Sequence, residues 1–152
     1  MEKQRLKYSQ KMPDSMKGLL EMENYVEKSG LDRTIFELVK HRASQINGCA
    51  YCMDMHTKDA RAAGETEQRL YLISAWREVP FYTERERAAL AWTEALTLIS
   101  TNDVPESLYN HVSEHFNDKE LMALTITIIA INGWNRLAIA FRTPVGSYNP
   151  GK

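Results

Sequence analysis

Apolar residues recur along this chain at helical spacing, and residues that start or stop helices interrupt them at regular intervals. Asp14 is placed to cap a helix over about 14–29, with Gly30 just past its end. Asp32 is placed to cap a second, over about 33–46, in which Ile35, Leu38, Val39, Ala43 and Ile46 fall on one face. Asn47-Gly48 ends it. A third helix is expected from about Cys49 to Gly64, and Thr66 opens a fourth through Leu70, Ile73 and Trp76, ending before Pro80. Thr83 and Glu86 form a capping box for a fifth, over about 84–99, with Leu90, Thr93, Leu96 and Thr97 sharing part of one side. Pro105 suits the first turn of a sixth, and Asp118 precedes the last.

One segment reads two ways. Leu124-Thr125-Ile126-Thr127-Ile128 alternates like a strand and is rich in β-branched residues. No partner strand is evident, and a lone strand leaves its backbone groups unpaired. A buried helix is therefore expected. The whole predicts an all-α helical bundle of about six to seven helices in one domain spanning 1–152. Its core covers about 14–140, and an extended tail marked by Pro144, Gly146, Pro150 and Gly151 follows Phe141.

The composition narrows the function classes. The chain has 152 residues, 43% hydrophobic and 26% charged, which suits one soluble domain. The formal net charge is −1, and the 19 Lys and Arg are scattered. No attraction to nucleic acid or to an anionic membrane is implied. Residues 1–11 are polar and basic, unlike a secretory signal, and the apolar run 121–131 is too short to cross a bilayer. A cytoplasmic location is expected.

There are two cysteines, and they lie three residues apart. A bridge between them closes too small a loop to constrain the unfolded chain much. Such a pair points to redox chemistry or metal binding. The informative stretch is Cys49-Ala50-Tyr51-Cys52-Met53-Asp54-Met55-His56. On a helix, Cys49 and Cys52 share a face, and so do Cys52 and His56. Cys49 would stand at the helix N-terminus, where free N–H groups and the helix dipole favour a thiolate. His56 suits a base or proton relay, and such a histidine needs a carboxylate to orient it. Glu37, in the middle of the preceding helix, is the best placed.

Other readings remain open on these residues. Buried cysteines often serve as small apolar groups. Cys49, Cys52 and His56 also make three zinc ligands, with a fourth available from His41, His111 or His115 only through folding. A zinc-stabilised helical interaction module is the non-enzymatic alternative. Trp76, Trp92 and Trp134 read as core or interface anchors, Met53 and Met55 as core filling or a channel wall, and Asn135-Arg136 as structural.

The run Glu37-x11-Cys49-x-x-Cys52-x-x-x-His56 resembles the signature of the alkylhydroperoxidase D (AhpD) core, within the carboxymuconolactone decarboxylase superfamily. Residues 42–48 and the stretch Asn132-Gly133-Trp134-Asn135-Arg136 agree with it. The resemblance implies an all-α fold with its site in a helical hairpin. It implies a cofactor-independent thiol peroxidase acting on hydrogen peroxide or organic hydroperoxides. It also implies a homo-oligomer, a trimer or hexamer. By this likeness Cys52 attacks the peroxide and Cys49 resolves the sulfenic acid into a Cys49–Cys52 disulfide. Glu37 and His56 form the proton relay, and an external dithiol restores the thiols. Where some members carry a second histidine between the cysteines, this chain has Tyr51, whose phenol is a poor base. The shared superfamily also raises a lactone-decarboxylating lyase as an alternative, although the cysteines have no evident role in that chemistry.

Overall fold

The computed structural model describes residues 3–151. Met1, Glu2 and Lys152 belong to the polar N-terminal segment and the tail expected above, and they lie outside the described residues. Between these limits the chain is helical, with no strand among the described residues. The order is α1 (Tyr8–Lys11), α2 (Lys17–Ser29), α3 (Arg33–Asn47), α4 (Ala50–Ala62), α5 (Glu67–Leu72), α6 (Glu84–Thr97), α7 (Glu106–Ser113) and α8 (Asp118–Phe141). Single 3₁₀ turns precede α2 and follow α5. The short α1 was not expected.

Most predicted ends hold, and four shift. The fourth expected helix ends at Leu72, and a 3₁₀ turn over Ile73–Ala75 replaces its last part. Asp32 caps α3 by accepting the Ile35 N–H at 3.1 Å, and Thr83 with Glu86 makes the expected capping box. Asp14 does not cap α2. It lies in the 3₁₀ turn and pairs with Lys17, because Pro13 starts that turn and delays the α-helix. Asn117, not Asp118, caps α8, again through a capping box, with Glu120. Pro105 is the residue before α7 rather than part of its first turn.

The ambiguous segment is the middle of α8, which runs for 24 residues. Its threonines satisfy themselves within the helix: Thr127 donates to the Ala123 carbonyl at 2.8 Å, and Thr125 to Leu121 at 2.8 Å. At this length, with a mean hydropathy of 1.3 over 18 residues, α8 is long and apolar enough to cross a membrane, although the apolar run itself is short. In this fold it is packed against α2, α3 and α6. Gly133 permits the approach of α2, since a Cβ there would meet Leu19 Cδ2 at 2.6 Å.

Two apolar clusters set α3 in place. Ile35 and Val39 pack with Ala88, Trp92, Leu124 and Ile128, while Leu38 packs with Ile73, Trp76 and Leu90. Helix α3 thus lies between α6 and α8, and its polar residues Glu37, Lys40, His41 and Ser44 are buried with it. Burial of four polar side chains on one core helix requires partners for them. The partners of Glu37, Lys40 and Ser44 define the site, while His41 faces another pocket.

Candidate active site

A two-residue turn builds the site. Gly48 adopts a left-handed backbone, with φ 70°, which glycine accepts without strain. The chain reverses there, and α4 returns along α3. Cys49 becomes the N-cap of α4, and its sulfur accepts the Cys52 N–H at 3.4 Å. Both cysteines are free thiols and are 1% exposed. They pack with Ala43 of α3 and with Ile131 and Ala138 of α8.

The hairpin also brings Glu37 to His56. Glu37 Oε2 lies 2.8 Å from His56 Nδ1, and both residues are buried. Arg33, one turn earlier on α3, pairs with the other carboxylate oxygen at 2.5 Å. With Nδ1 facing the carboxylate, His56 Nε2 is buried and has no hydrogen-bond partner among the described residues. All four residues expected from the sequence therefore belong to one hairpin.

A cavity of about 450 Å³ opens beside them. Cys52, His56, Glu37, Tyr51, Met55 and Trp134 contribute to its wall, and Cys49 does not. The N-terminal segment covers part of it. Tyr8 lines the cavity, packs on Phe141 at the end of α8 with ring centroids 5.6 Å apart, and meets Thr143 at 3.4 Å.

The two sulfurs differ in acidity. The Cys49 thiol is lowered to about 7, first by a hydrogen bond from the Cys52 thiol, with further help from the Cys52 N–H, the Asn135 amide and the Tyr51 N–H. The Cys52 thiol is raised, first because it donates to Cys49, then by burial. Deprotonation of the pair is thus centred on Cys49, with the Cys52 proton shared toward it. Burial raises the Tyr51 phenol, which stays neutral at physiological pH and can serve only as a neutral hydrogen-bonding group.

Three contributors were not foreseen. Lys40 is buried at the cavity and held by both oxygens of Glu23, at 2.6 and 2.5 Å. Trp134 Nε1 donates to the same carboxylate at 2.9 Å. Asn135 is fully buried against the sulfurs. The available signals were the position of Lys40 one turn from Glu37 and a paired asparagine and tryptophan within an apolar helix. Asp59 also borders the cavity, and Tyr148 of the tail donates to it at 2.7 Å. The tail, expected to be extended, folds back on α4 through this bond and through Lys58 to the Tyr148 carbonyl at 3.1 Å.

The donor geometry bears on zinc. Among the described residues, the two groups whose ligand atoms converge are His111, Glu114 and His115 on α7, and Glu37, His56 and Asp59 at the cavity. Neither contains a cysteine, so the alternative Cys49–Cys52–His56 zinc set is not among them. His41 faces a different pocket, beside Gln45 and Thr57.

The profile of the carboxymuconolactone decarboxylase family matches residues 13–95, more than half of the chain and all four hairpin residues. The chain belongs to this family. Its likeness is to the AhpD branch. It is 48% identical over 137 residues to the uncharacterized protein YdfG of Bacillus subtilis, covering 90% of this chain and 93% of that one. The crystal structure of an Agrobacterium tumefaciens protein of unknown function, suggested to be an AhpD-type antioxidant defence protein, superposes with a TM-score of 0.91. That match has 44% identity and covers 96% of this chain and all of the other. The alkyl hydroperoxide reductase AhpD of Mycobacteroides abscessus is 40% identical over a shorter stretch of 47 residues, 31% of this chain and 27% of that one.

Proposed function

We propose that this protein is a thiol peroxidase that reduces hydroperoxides through a Cys49–Cys52 disulfide. The observation that carries the reading is the buried Glu37–His56 pair, 2.8 Å apart, in the wall of the cavity that Cys52 also lines, with His56 Nε2 left without a partner among the described residues. A nucleophile, a proton-transfer group and an orienting carboxylate thus share one site.

The steps follow from the unequal sulfurs. Cys52 passes its proton to the Cys49 thiolate and becomes the attacking thiolate. Its sulfur bonds to the outer oxygen of the hydroperoxide as the O–O bond breaks. Cys52 becomes a sulfenic acid, and the alkoxide takes a proton from protonated His56 to leave as an alcohol. The Cys49 sulfur then attacks the Cys52 sulfur. Its proton leaves with the hydroxyl as water, and the disulfide forms. Two electrons pass from the sulfurs to the peroxide. An external dithiol returns them, and no cofactor is needed.

The apolar wall of the cavity, with Phe36, Met55 and Trp134, supports an organic hydroperoxide as well as hydrogen peroxide. Replacement of Cys52 by Ser abolishes peroxide turnover on this account; unchanged turnover overturns it. A homo-oligomer is part of the proposal. It is supported by the exposed Ile129 of α8, which lines one groove with Ile99, itself 61% exposed, and by Met122, also exposed on α8. Sedimentation at micromolar concentration is expected to give a trimer or hexamer, and a monomer would refute this part.

A further inference from the structure

We propose that Asn135 is the built-in donor that holds the negative charge on the Cys49–Cys52 pair, with its amide fixed in that orientation by Ser44 and Asn47. The inference concerns the thiolate itself, and its effect on peroxide turnover rests on the function proposed above.

The orientation follows from counting donors. Ser44 Oγ donates its single proton to the Lys40 carbonyl at 2.7 Å. Toward Asn135, at 3.0 Å, Ser44 can therefore only accept, and the atom facing it must be the amide nitrogen. The Asn135 oxygen faces the other way and accepts from Asn47 Nδ2 at 2.8 Å. Asn47 is itself oriented, since it also donates to Asn132 Oδ1 at 3.0 Å. The Asn135 amide cannot flip without breaking both contacts.

One proton of the Asn135 amide nitrogen is used on Ser44. The second belongs to a side chain that is 0% exposed. A donor so buried needs an acceptor. The next turns of α8 on either side, at Ile131 and Ala138, belong to one buried cluster with the two cysteines, so Asn135 lies on the face of α8 that meets this cluster. We assign the remaining proton to the neighbouring sulfur pair, where a hydrogen bond from Asn135 lowers both thiols. A thiolate accepts such a bond well, and a disulfide sulfur accepts it poorly. Asn135 therefore favours the reduced, charged pair over the disulfide, which makes the disulfide easier to reduce. The helix N-terminus alone supplies only the N–H groups of Tyr51 and Cys52, so α8 adds a donor from a separate element.

The test titrates the reduced protein by thiolate absorbance and by alkylation with iodoacetamide. Asn135→Ala removes the donor, and Asn135→Asp keeps its shape while replacing the donor with an acceptor. In each variant the thiolate midpoint should rise by about one unit from the wild-type value, about a tenfold loss of thiolate below the midpoint. The dithiol–disulfide equilibrium should shift about tenfold toward the disulfide. Folded variants that titrate like wild type would overturn the inference. A measurement on the wild-type protein keeps it falsifiable if both variants fail to fold. One Asn135 amide proton, followed by nuclear magnetic resonance, should shift with the thiolate titration and on disulfide formation; an invariant signal would overturn it. A wild-type protein with a thiolate titrating near 7 that consumes no peroxide refutes the peroxidase reading and leaves this inference standing.

Discussion

Glu37 and His56 come from different helices and meet at 2.8 Å, so that one carboxylate fixes which ring nitrogen of the histidine is spoken for. His56 Nδ1 faces Glu37, and Nε2 is buried without a partner among the described residues. The pairing depends on the Gly48 turn, which sets the register of α4 on α3. Arg33 ties the remaining carboxylate oxygen and shields this charge from the bulk.

Glu37→Gln tests that relationship. Gln keeps an acceptor for Nδ1 but removes the charge that supports a protonated imidazole. The rate constant for peroxide reduction should fall about 10- to 100-fold, with little change in KM. Steady-state kinetics of the two proteins at fixed pH checks it. Leucine at the same position should cost about 1–3 kcal/mol in stability, because it leaves the buried His56 Nδ1 without its partner; chemical denaturation reads this directly.

Much of this hairpin was legible in the sequence. The Cys-x-x-Cys-x-x-x-His spacing gives one helical face, and Asn47-Gly48 gives the turn, so Cys49 as a helix cap and Glu37 as a facing carboxylate followed from local rules. Asn135 and Lys40 were not legible, because their contacts join helices distant in the chain: Asn135 reaches Ser44 across 91 positions. Local rules also failed at Asp14, where Pro13 imposed a 3₁₀ turn that displaced the expected cap. The strand-like alternation in α8 misleads because two of its threonines bond back within the helix and so do not require a sheet.

The acidity of Cys49 gives a pH dependence with a definite sign. Its folded value, about 7, lies below the ordinary thiol value of 9.0. The thiolate therefore stabilises the reduced fold fully above pH 9, and that contribution is lost as pH falls from 9 through 7. Cys52 works in the opposite sense above pH 9, because its thiol is raised. Reduced protein should thus gain stability from pH 7 to 9 relative to the Cys49→Ser variant, by about 2 kcal/mol at most. Denaturation curves across this range, under reducing conditions, provide the check. Alkylation of the wild type should follow the same midpoint near 7.

His41 sets an acid limb. It is buried, and burial lowers it from 6.5 to about 4. A base lowered on folding stabilises the fold above its unfolded value and loses that contribution as pH falls from 6.5 to 4. His41→Gln should therefore flatten the loss of stability between pH 6.5 and 4, while peroxide turnover at about pH 7 stays within about twofold, since His41 lines a separate pocket. Thermal melts at several pH values, together with one rate measurement, test both parts.

In the proposed reaction Cys49 and Cys52 together supply the two electrons for peroxide reduction. Mass spectrometry of the peptide holding both cysteines, before and after one equivalent of hydroperoxide, tests it most directly. The account predicts loss of two hydrogens through a Cys49–Cys52 disulfide, formed in step with peroxide consumed, and a gain of one oxygen on Cys52 in the Cys49→Ser variant. Peroxide consumed while both thiols remain free, or an unreacted pair with no peroxide consumed, would contradict it.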